Sequence, residues 1–330
     1  LAGISKAVTE LLQHTYGTYS LNLELLKMVE STCAVIVSFN APEELTACIN
    51  SAVQQVDKII IVDNSSENLL NDVIINATYS EKVEFIYNNT NKGLGYAFNQ
   101  GLYYSIENHY EWTLLLDQDS ILANNMIHEL LMSYNILKEE EKSKTALLVP
   151  RVYDRNLEVE LPAIISTECI TQKITHPVVD TFVHFQISSG SLLRNEKIKL
   201  IGVMNDKLFI DYIDFEYCFR VLDSGHSILL CKNAFLYHTL GETTKKYFRA
   251  FIQHSPQRVF YQTRNRLYII YKYGKKYKSI RNSEIVRFIV KLPKIIFLES
   301  QKVEKVIMYI KGIIAFAKFY QDMQMNKLES

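Results

Sequence analysis

The chain has 330 residues, enough to bury a substantial core in one large domain with appendages or in two small domains. Its 36 Lys and Arg balance 36 Asp and Glu, so no net basic field argues for nucleic acid as a partner. Cysteines at positions 33, 48, 169, 218 and 231 follow no paired spacing and several lie in apolar runs, which favours reduced core thiols over disulfides or a zinc knot.

Residues 5–31 carry the spacing of one or two amphipathic helices, with Leu11, Leu12, Leu21, Leu25 and Leu26 available to pack. Glu10 and His14 interrupt any compact apolar core there, so the start does not read as a signal peptide. A first strand is expected at Ala34-Val35-Ile36-Val37-Ser38-Phe39, stopped by Asn40-Ala41-Pro42, and Pro42 with Glu43 and Glu44 opens a helix reaching Gln54. A second strand, Lys58-Ile59-Ile60-Ile61-Val62, runs into Asp63-Asn64-Ser65-Ser66, and a third, Val83 to Tyr87, runs into Asn88-Asn89. A helix from Ala97 to Glu107 then leads to a strand ending at Asp117. This alternation predicts an α/β fold with a mostly parallel central sheet covered by helices on both sides. The loops holding Asp63, Asn88 to Gly95 and Asp117 to Ser120 all follow strands, so the sheet brings them to one edge, where such folds bind ligands.

Leu114-Leu115-Leu116 reads as the end of a central strand, and Asp117-Gln118-Asp119-Ser120 follows at its carboxyl edge. Side chains alternate in an extended segment, so Asp117 and Asp119 point the same way. Their like charges repel unless a cation lies between them, and Mg²⁺ or Mn²⁺ takes such oxygen ligands. A strand end with an Asp turn or helix cap suits the same residues, and both readings stand at this point. Gly93 and Gly95 belong to no G-x-G-x-x-G and lack the Lys-Ser/Thr ending of a P-loop, which lowers dinucleotide and ATP readings.

Beyond Lys144 the pattern changes. A strand is expected at Ala146 to Pro150, an irregular excursion over 154–182, a strand with a Gly bend over Phe185 to Leu193, and a helix or turn containing Gly202. Helical spacing covers Tyr212 to Leu222, followed by strands His226 to Leu230 and Ala234 to His238 and helices over 250–270. On the first helix Asp211 and Asp214 would face together, with Glu216 and Arg220 as a separate pair. A cleft carboxylate shielded by Tyr212 and Phe215 makes a better base than a solvated one, although an ordinary capped helix has the same pattern. His238 can complete a metal shell, contact a diphosphate, or be structural at a strand end. Arg264 and Arg266 in Tyr261-Gln262-Thr263-Arg264-Asn265-Arg266 suit bidentate phosphate contact or a helix surface outside any site.

These residues in this order resemble bacterial family 2 glycosyltransferases of the GT-A fold, most of all their rhamnosyltransferase-like members, over residues 33–270. The resemblance implies a Rossmann-like nucleotide-binding half over 33–145 and an acceptor-binding half over 146–270, with an N-terminal helical extension (1–32) and basic amphipathic C-terminal helices (271–330). It implies that Asp63 recognises a pyrimidine base and that Asn91-Lys92-Gly93-Leu94-Gly95-Tyr96-Ala97-Phe98-Asn99-Gln100-Gly101 lines the donor pocket, with Asn91, Lys92, Gly93 and Asn99 as binding residues. It further implies that Asp117 and Asp119 form the DxD pair on Mg²⁺ or Mn²⁺, that His238 to Gly241 is the later H-x-x-G element, and that Arg264-Asn265 is the R-N pair that follows. Asp214 falls at the catalytic base, where many relatives have Glu-Asp and this chain has Ile213-Asp214; the neighbouring acid is gone and the base is kept.

The expected activity is inverting, metal-assisted transfer of a sugar, L-rhamnose from dTDP-rhamnose or a hexose from a UDP-sugar, to a hydroxyl of a polysaccharide or lipid-linked acceptor. Gln186 to Gly190 is expected to shape the acceptor side. A sugar-phosphate nucleotidyltransferase would be expected to carry a basic glycine-rich loop after the first strand, where this chain has Asn40-Ala41-Pro42; an inactive sugar-binding homologue that keeps the fold stays as an alternative, against which the retained Asp119 and Asp214 argue. From Lys272 to Lys318 the chain carries 12 Lys or Arg and three Glu among Ile, Val, Phe and Leu. Basic amphipathic helices of this kind lie on an anionic leaflet or pack against the catalytic domain or a second subunit of a homodimer. With no apolar stretch long enough to span a bilayer, the expected location is cytoplasmic, peripheral at the cytoplasmic face of the plasma membrane.

Overall fold

A computed structural model describes residues 30–40, 42–67, 77–167, 170–239, 243–246, 249–252 and 254–328. The helical extension expected before residue 30, Cys169 and the Leu240-Gly241 end of the histidine motif lie outside them. Residues Thr32–Ser330 form one unit, so both expected halves share a single sheet.

The first half follows the alternation in the sequence. β1 (Thr32–Ser38) leads to α1 (Pro42–Ala52), β2 (Lys58–Asp63), β3 (Val83–Tyr87), α2 (Leu94–Glu107) and β4 (Trp112–Asp117). β1, β2 and β4 are apolar on both faces and buried along nearly their whole length, the signature of parallel strands covered twice. Val37 stands beside Val62 on one side and Asp117 on the other, and Ser38 beside Asp63, so three strand ends share one edge.

After β5 (Ile121–Leu122), α3 (Met126–Asn135) and α4 (Glu139–Lys144), the long β6 (Thr145–Asp154) re-enters the sheet. The stretch expected to be irregular instead forms β7 (Val159–Leu161), a hairpin of β8 (Ala163–Ser166) and β9 (Thr171–Ile174), and β10 (Thr181–Val183). Strands of three or four residues are too short to show alternation. Of the strand expected over Phe185 to Leu193, only β11 (Leu192–Arg194) is extended, antiparallel to both β4 and β6, and Gln186 to Gly190 is its incoming loop. α5 (Asn195–Ile201) stops at Gly202, and α6 (Ile213–Asp223) precedes β12 (Ser227–His238). β12 joins the two strands expected there across a register shift between Cys231 and Phe235. β13 (Thr243–Lys246) and β14 (Arg249–Ile252) pair with each other, and α7 (Pro256–Tyr273), α8 (Lys278–Leu298) and α9 (Lys302–Leu328) follow.

The sheet order is β10-β12-β6-β11-β4-β1-β2-β3, with β5 on β12 and β7 on β6. Because β11 runs against both β4 and β6, and β12 is parallel to β6, β12 ends on the same edge as β4. One face packs under α2, α6 and α7 through Phe98, Leu102, Tyr217, Phe219, Ile269 and Tyr273; the other packs under α1 and α3 through Leu45, Ile49, Met126, Leu130 and Tyr134. Phe219 stacks on Tyr273 at 4.3 Å and meets Phe185 edge-on at 4.6 Å. Burial of each such side chain contributes about 1.5–3 kcal/mol. Cys33, Cys48, Cys218 and Cys231 are free and buried, as expected of core thiols.

Candidate active site

The edge where β1, β2, β4 and β12 end opens into a cleft of about 870 Å³, walled on its far side by α7 and α8. Asp117 terminates β4 at the cleft floor. The chain turns there, with the Ser120 amide donating to the Asp117 carbonyl at 3.1 Å, and the turn aims Asp119 back at Asp117. Gln118 between them grips Phe39, accepting from its amide at 2.6 Å and donating to its carbonyl at 3.2 Å, which ties the loop after β4 to the loop after β1. Ser189 braces the turn from below: its hydroxyl accepts from the Asp117 amide at 3.1 Å and lies 2.6 Å from the Ser120 hydroxyl.

His238, far along the chain but last in β12, completes the group. Its Nδ1 is 3.1 Å from Asp119 Oδ1 and its Nε2 is 3.9 Å from Asp117 Oδ2. One donor atom from each of the three residues lies within 4.8 Å of the others. Burial opposes protonation of His238, but its hydrogen bond to Asp119 and the charges of both aspartates outweigh that and raise its pKa. Burial also pushes the Asp117 carboxyl up to about 6; Asp119 adds to the rise and His238 opposes it. Two carboxylates and one imidazole converging on one point form a donor set that fits Mn²⁺, and through its oxygens Mg²⁺.

Asp214 lines the same cleft, at the start of α6. Burial raises its pKa to about 6, the Phe215 amide donating to Oδ1 at 2.8 Å partly offsets this, and the charges of Asp211 and Asp117 add to it. The segment entering α6 is under strain: Phe209, Asp211 and Tyr212 all have positive φ, at 66°, 62° and 65°. Such conformations cost about 1 kcal/mol or more each and persist only when the surroundings hold them. Here α7 does so. Asn265 Nδ2 lies 2.8–2.9 Å from the carbonyls of Leu208, Ile210 and Asp211, and Arg264 donates to those of Lys207 and Leu208. Asp211 is therefore not on the helix beside Asp214, as its spacing implied, but precedes it in an ion pair with Arg258 at 3.1 Å. Glu216 and Arg220 pair as expected at 2.9 Å, with Lys272 and Tyr273 also on Glu216.

Several expected donor contacts take other positions. Asn91 lines the cleft and accepts from the Gly93 amide at 2.9 Å. Gly93 has φ 92°, and a Cβ there would come within 2.7–2.9 Å of Phe209, so only glycine fits. Lys92 lies over the Tyr96 ring at 5.0 Å and is not part of the cleft lining. Asn99 is buried and not part of the cleft lining, its amide giving to and taking from the Met204 backbone at 2.9 and 2.8 Å, which fixes the loop before Phe209. Asp63 is only 2% exposed, with Oδ1 accepting from the Ser65 amide and hydroxyl, so Asn64 forms the wall at this loop. Arg264 is spent on backbone carbonyls and does not line the cleft.

The positive charge in the cleft comes instead from Arg258 and Arg266, which line it with Gln262, and from Arg287, Lys291 and Lys294 of α8. Arg258 was missed in the sequence. Its signal is there, since positions 258, 262 and 266 recur every fourth residue and so share one helix face.

The family described as Glycosyl transferase family 2 matches residues 33–199. The dTDP-rhamnosyl transferase RfbF of Shigella flexneri is 31% identical over 278 residues, 82% of this chain and 90% of its own length. S. aureus TarS 1-349 in complex with UDP-GlcNAc superposes with a TM-score of 0.57 at 13% identity, covering 87% of this chain and 80% of that one. GalNAc-T7 with UDP, GalNAc and Mn²⁺ gives 0.55 at 14% identity over 76% of this chain; the chain covers 49%, about half, of that protein's length. These two likenesses carry the fold. With the family match and the relative together, the chain belongs to glycosyl transferase family 2, and the protein is a glycosyltransferase of the GT-A type α/β fold.

Proposed function

We propose that the protein transfers L-rhamnose from dTDP-rhamnose, with inversion, to a hydroxyl of a polysaccharide or lipid-linked oligosaccharide precursor. The observation that carries this reading is that Asp214 lines the same cleft as the Asp117, Asp119 and His238 group. The donor sugar follows from the relative, a dTDP-rhamnosyl transferase by name. A solved neighbour binds UDP and Mn²⁺ and another UDP-GlcNAc, in keeping with a nucleotide-sugar donor.

Asp117, Asp119 and His238 would hold Mn²⁺ or Mg²⁺. The ion supplies positive charge against the leaving diphosphate oxygen. Arg258 adds a second positive charge, since its field reaches both Asp117 and Asp214. Asn64 and Asn91 wall the pocket for the nucleotide, and Asp63 holds the loop that meets the pyrimidine. Asp214 takes the proton of the acceptor hydroxyl as that oxygen bonds to the anomeric carbon from the side opposite the diphosphate. The bond from the anomeric carbon to the phosphate oxygen breaks in the same displacement, dTDP departs, and the configuration inverts. A carboxyl with a pKa near 6 is ionised at neutral pH yet basic enough to share the proton in the transition state. We also place the protein peripherally at the cytoplasmic face of the membrane; among the described residues no helix is long and apolar enough to cross it.

Turnover measured with dTDP-rhamnose, UDP-galactose, UDP-glucose and UDP-N-acetylglucosamine in the presence of Mn²⁺ tests the reading. Preference for dTDP-rhamnose, with Mn²⁺-dependent dTDP binding lost in Asp119→Ala, supports it. Preference for a UDP-hexose would move the protein to another donor, and donor affinity in Asp119→Ala unchanged across a metal titration would remove the ligand assignment.

A further inference from the structure

One wall of the cleft is built from α8, a helix with two unlike faces. Arg287, Lys291 and Lys294 of α8 line the cleft, and so do Val286 and Val290. The cations crowd onto few carboxylates: Glu299 lies within 3.2 Å of Lys291, 3.9 Å of Lys294 and 3.0 Å of Lys305, and Glu284 is shared by Arg266 and Arg287 at 3.0 and 2.8 Å. Lys291 is only 8% exposed, so the helix holds an ammonium in a place of low polarity beside further positive charge. Burial accordingly lowers its pKa, with Lys294 and Arg266 acting in the same sense and Glu299 opposing. Arg258 of α7 pairs with Asp211 and acts on Asp117, whereas the α8 cations pair with Glu284 and Glu299. The α8 cations therefore form a second group of positive charge in the cleft, held by carboxylates of their own.

The other face continues out of the cleft. Ile285, Val286, Ile289, Val290, Ile296 and Phe297 are between 39% and 72% exposed. At about 100° per residue they fall on one contiguous stripe, roughly 18 Å long, running beside the basic row. An anion-binding row inside a cleft mouth, edged by an apolar track leading away from it, complements one kind of molecule: an amphiphile with a phosphate head and an aliphatic tail. A bilayer would wet the stripe but leave the cleft cations unexplained, and a free polysaccharide end would use neither face.

We propose that Arg287, Lys291 and Lys294 bind the phosphate or diphosphate of a lipid-linked acceptor, whose aliphatic chain runs along the apolar stripe of α8. This rests on the transferase reading above and places the acceptor sugar, joined to that phosphate, toward Asp214. The test uses the full chain saturated with Mn²⁺ and dTDP and titrated with farnesyl diphosphate, farnesol or inorganic diphosphate. Farnesyl diphosphate should bind without displacing dTDP, about ten-fold or more tighter than either fragment. Arg287→Gln with Lys294→Gln should weaken it about ten-fold or more, and Val286→Ser with Val290→Ser should reduce it to the level of inorganic diphosphate, with dTDP affinity unchanged in both. The proposal is overturned if dTDP competes with it, if inorganic diphosphate binds equally well, or if the variants bind like the parent. It is also overturned if only phosphatidylglycerol vesicles bind. Failure of the donor reading shows separately, as absent dTDP binding in the parent protein.

Discussion

Replacing Asp214 by Asn should abolish transfer and at the same time make the protein more stable. The carboxyl is held at about 6 against an ordinary 3.8, first by burial and then by the charges of Asp211 and Asp117. That is roughly two pH units, at about 1.4 kcal/mol each, so ionised Asp214 destabilises the folded state by on the order of 1–3 kcal/mol at neutral pH. The sign follows from the raised pKa: the penalty is complete above the folded value near 6 and vanishes below the unfolded value near 4. Asparagine keeps the acceptor for the Phe215 amide, which bonds Oδ1 at 2.8 Å, and removes the charge. Urea unfolding of metal-free parent and Asp214→Asn at pH 7.5 and pH 4.5 measures the difference. The variant should be more stable at pH 7.5, with the gap reduced to about a third at pH 4.5, on its way to closing below pH 4. A variant that is less stable at neutral pH, or a gap that does not narrow on acidification, would refute the argument that Asp214 is a desolvated base.

The same carboxyl sets a pH profile: kcat/KM should rise with pH to a plateau, with an apparent pKa at or somewhat below 6 once a metal offsets Asp117, and a profile flat from pH 5 to pH 8 would contradict it. Asn265→Ala leaves the carbonyls of Ile210 and Asp211 short of a donor, so unfolding free energy should fall by about 2–4 kcal/mol. Because the strained entry to α6 relaxes, kcat should fall about ten-fold or more with little change in dTDP affinity. Gly93→Ala forces a Cβ against Phe209 at positive φ and should lower stability by on the order of 2 kcal/mol, readable as a fall in thermal midpoint.

The parallel half of the sheet was legible because β1, β2 and β4 are apolar runs closed by polar loops, and the topology then carries those loops to one edge. Asp117 and Asp119 were readable as a local pair, but bringing His238 to them takes the whole crossover through β6 and β12. Motif residues were harder to read. Asn99 and Arg264 fit a family pattern, yet the structure uses both to hold backbone, because a segment with three positive-φ residues needs donors and acceptors wherever they can be found. Motif position fixes where a side chain starts and not which carbonyl competes for it. The basic row of α8 was visible as charge among apolar residues, and only the packing of α8 against α7 turns part of it into the cleft.

The central claim is that one metal group and one carboxylate act on opposite sides of the same sugar. The anomeric configuration of the product, read by proton NMR alongside single-turnover transfer by Asp214→Asn loaded with Mn²⁺ and dTDP-rhamnose, tests it most directly. The account predicts an inverted product from the parent and no transfer by a variant that still binds the donor. Retention of configuration, or transfer by Asp214→Asn at the parental rate, would contradict it.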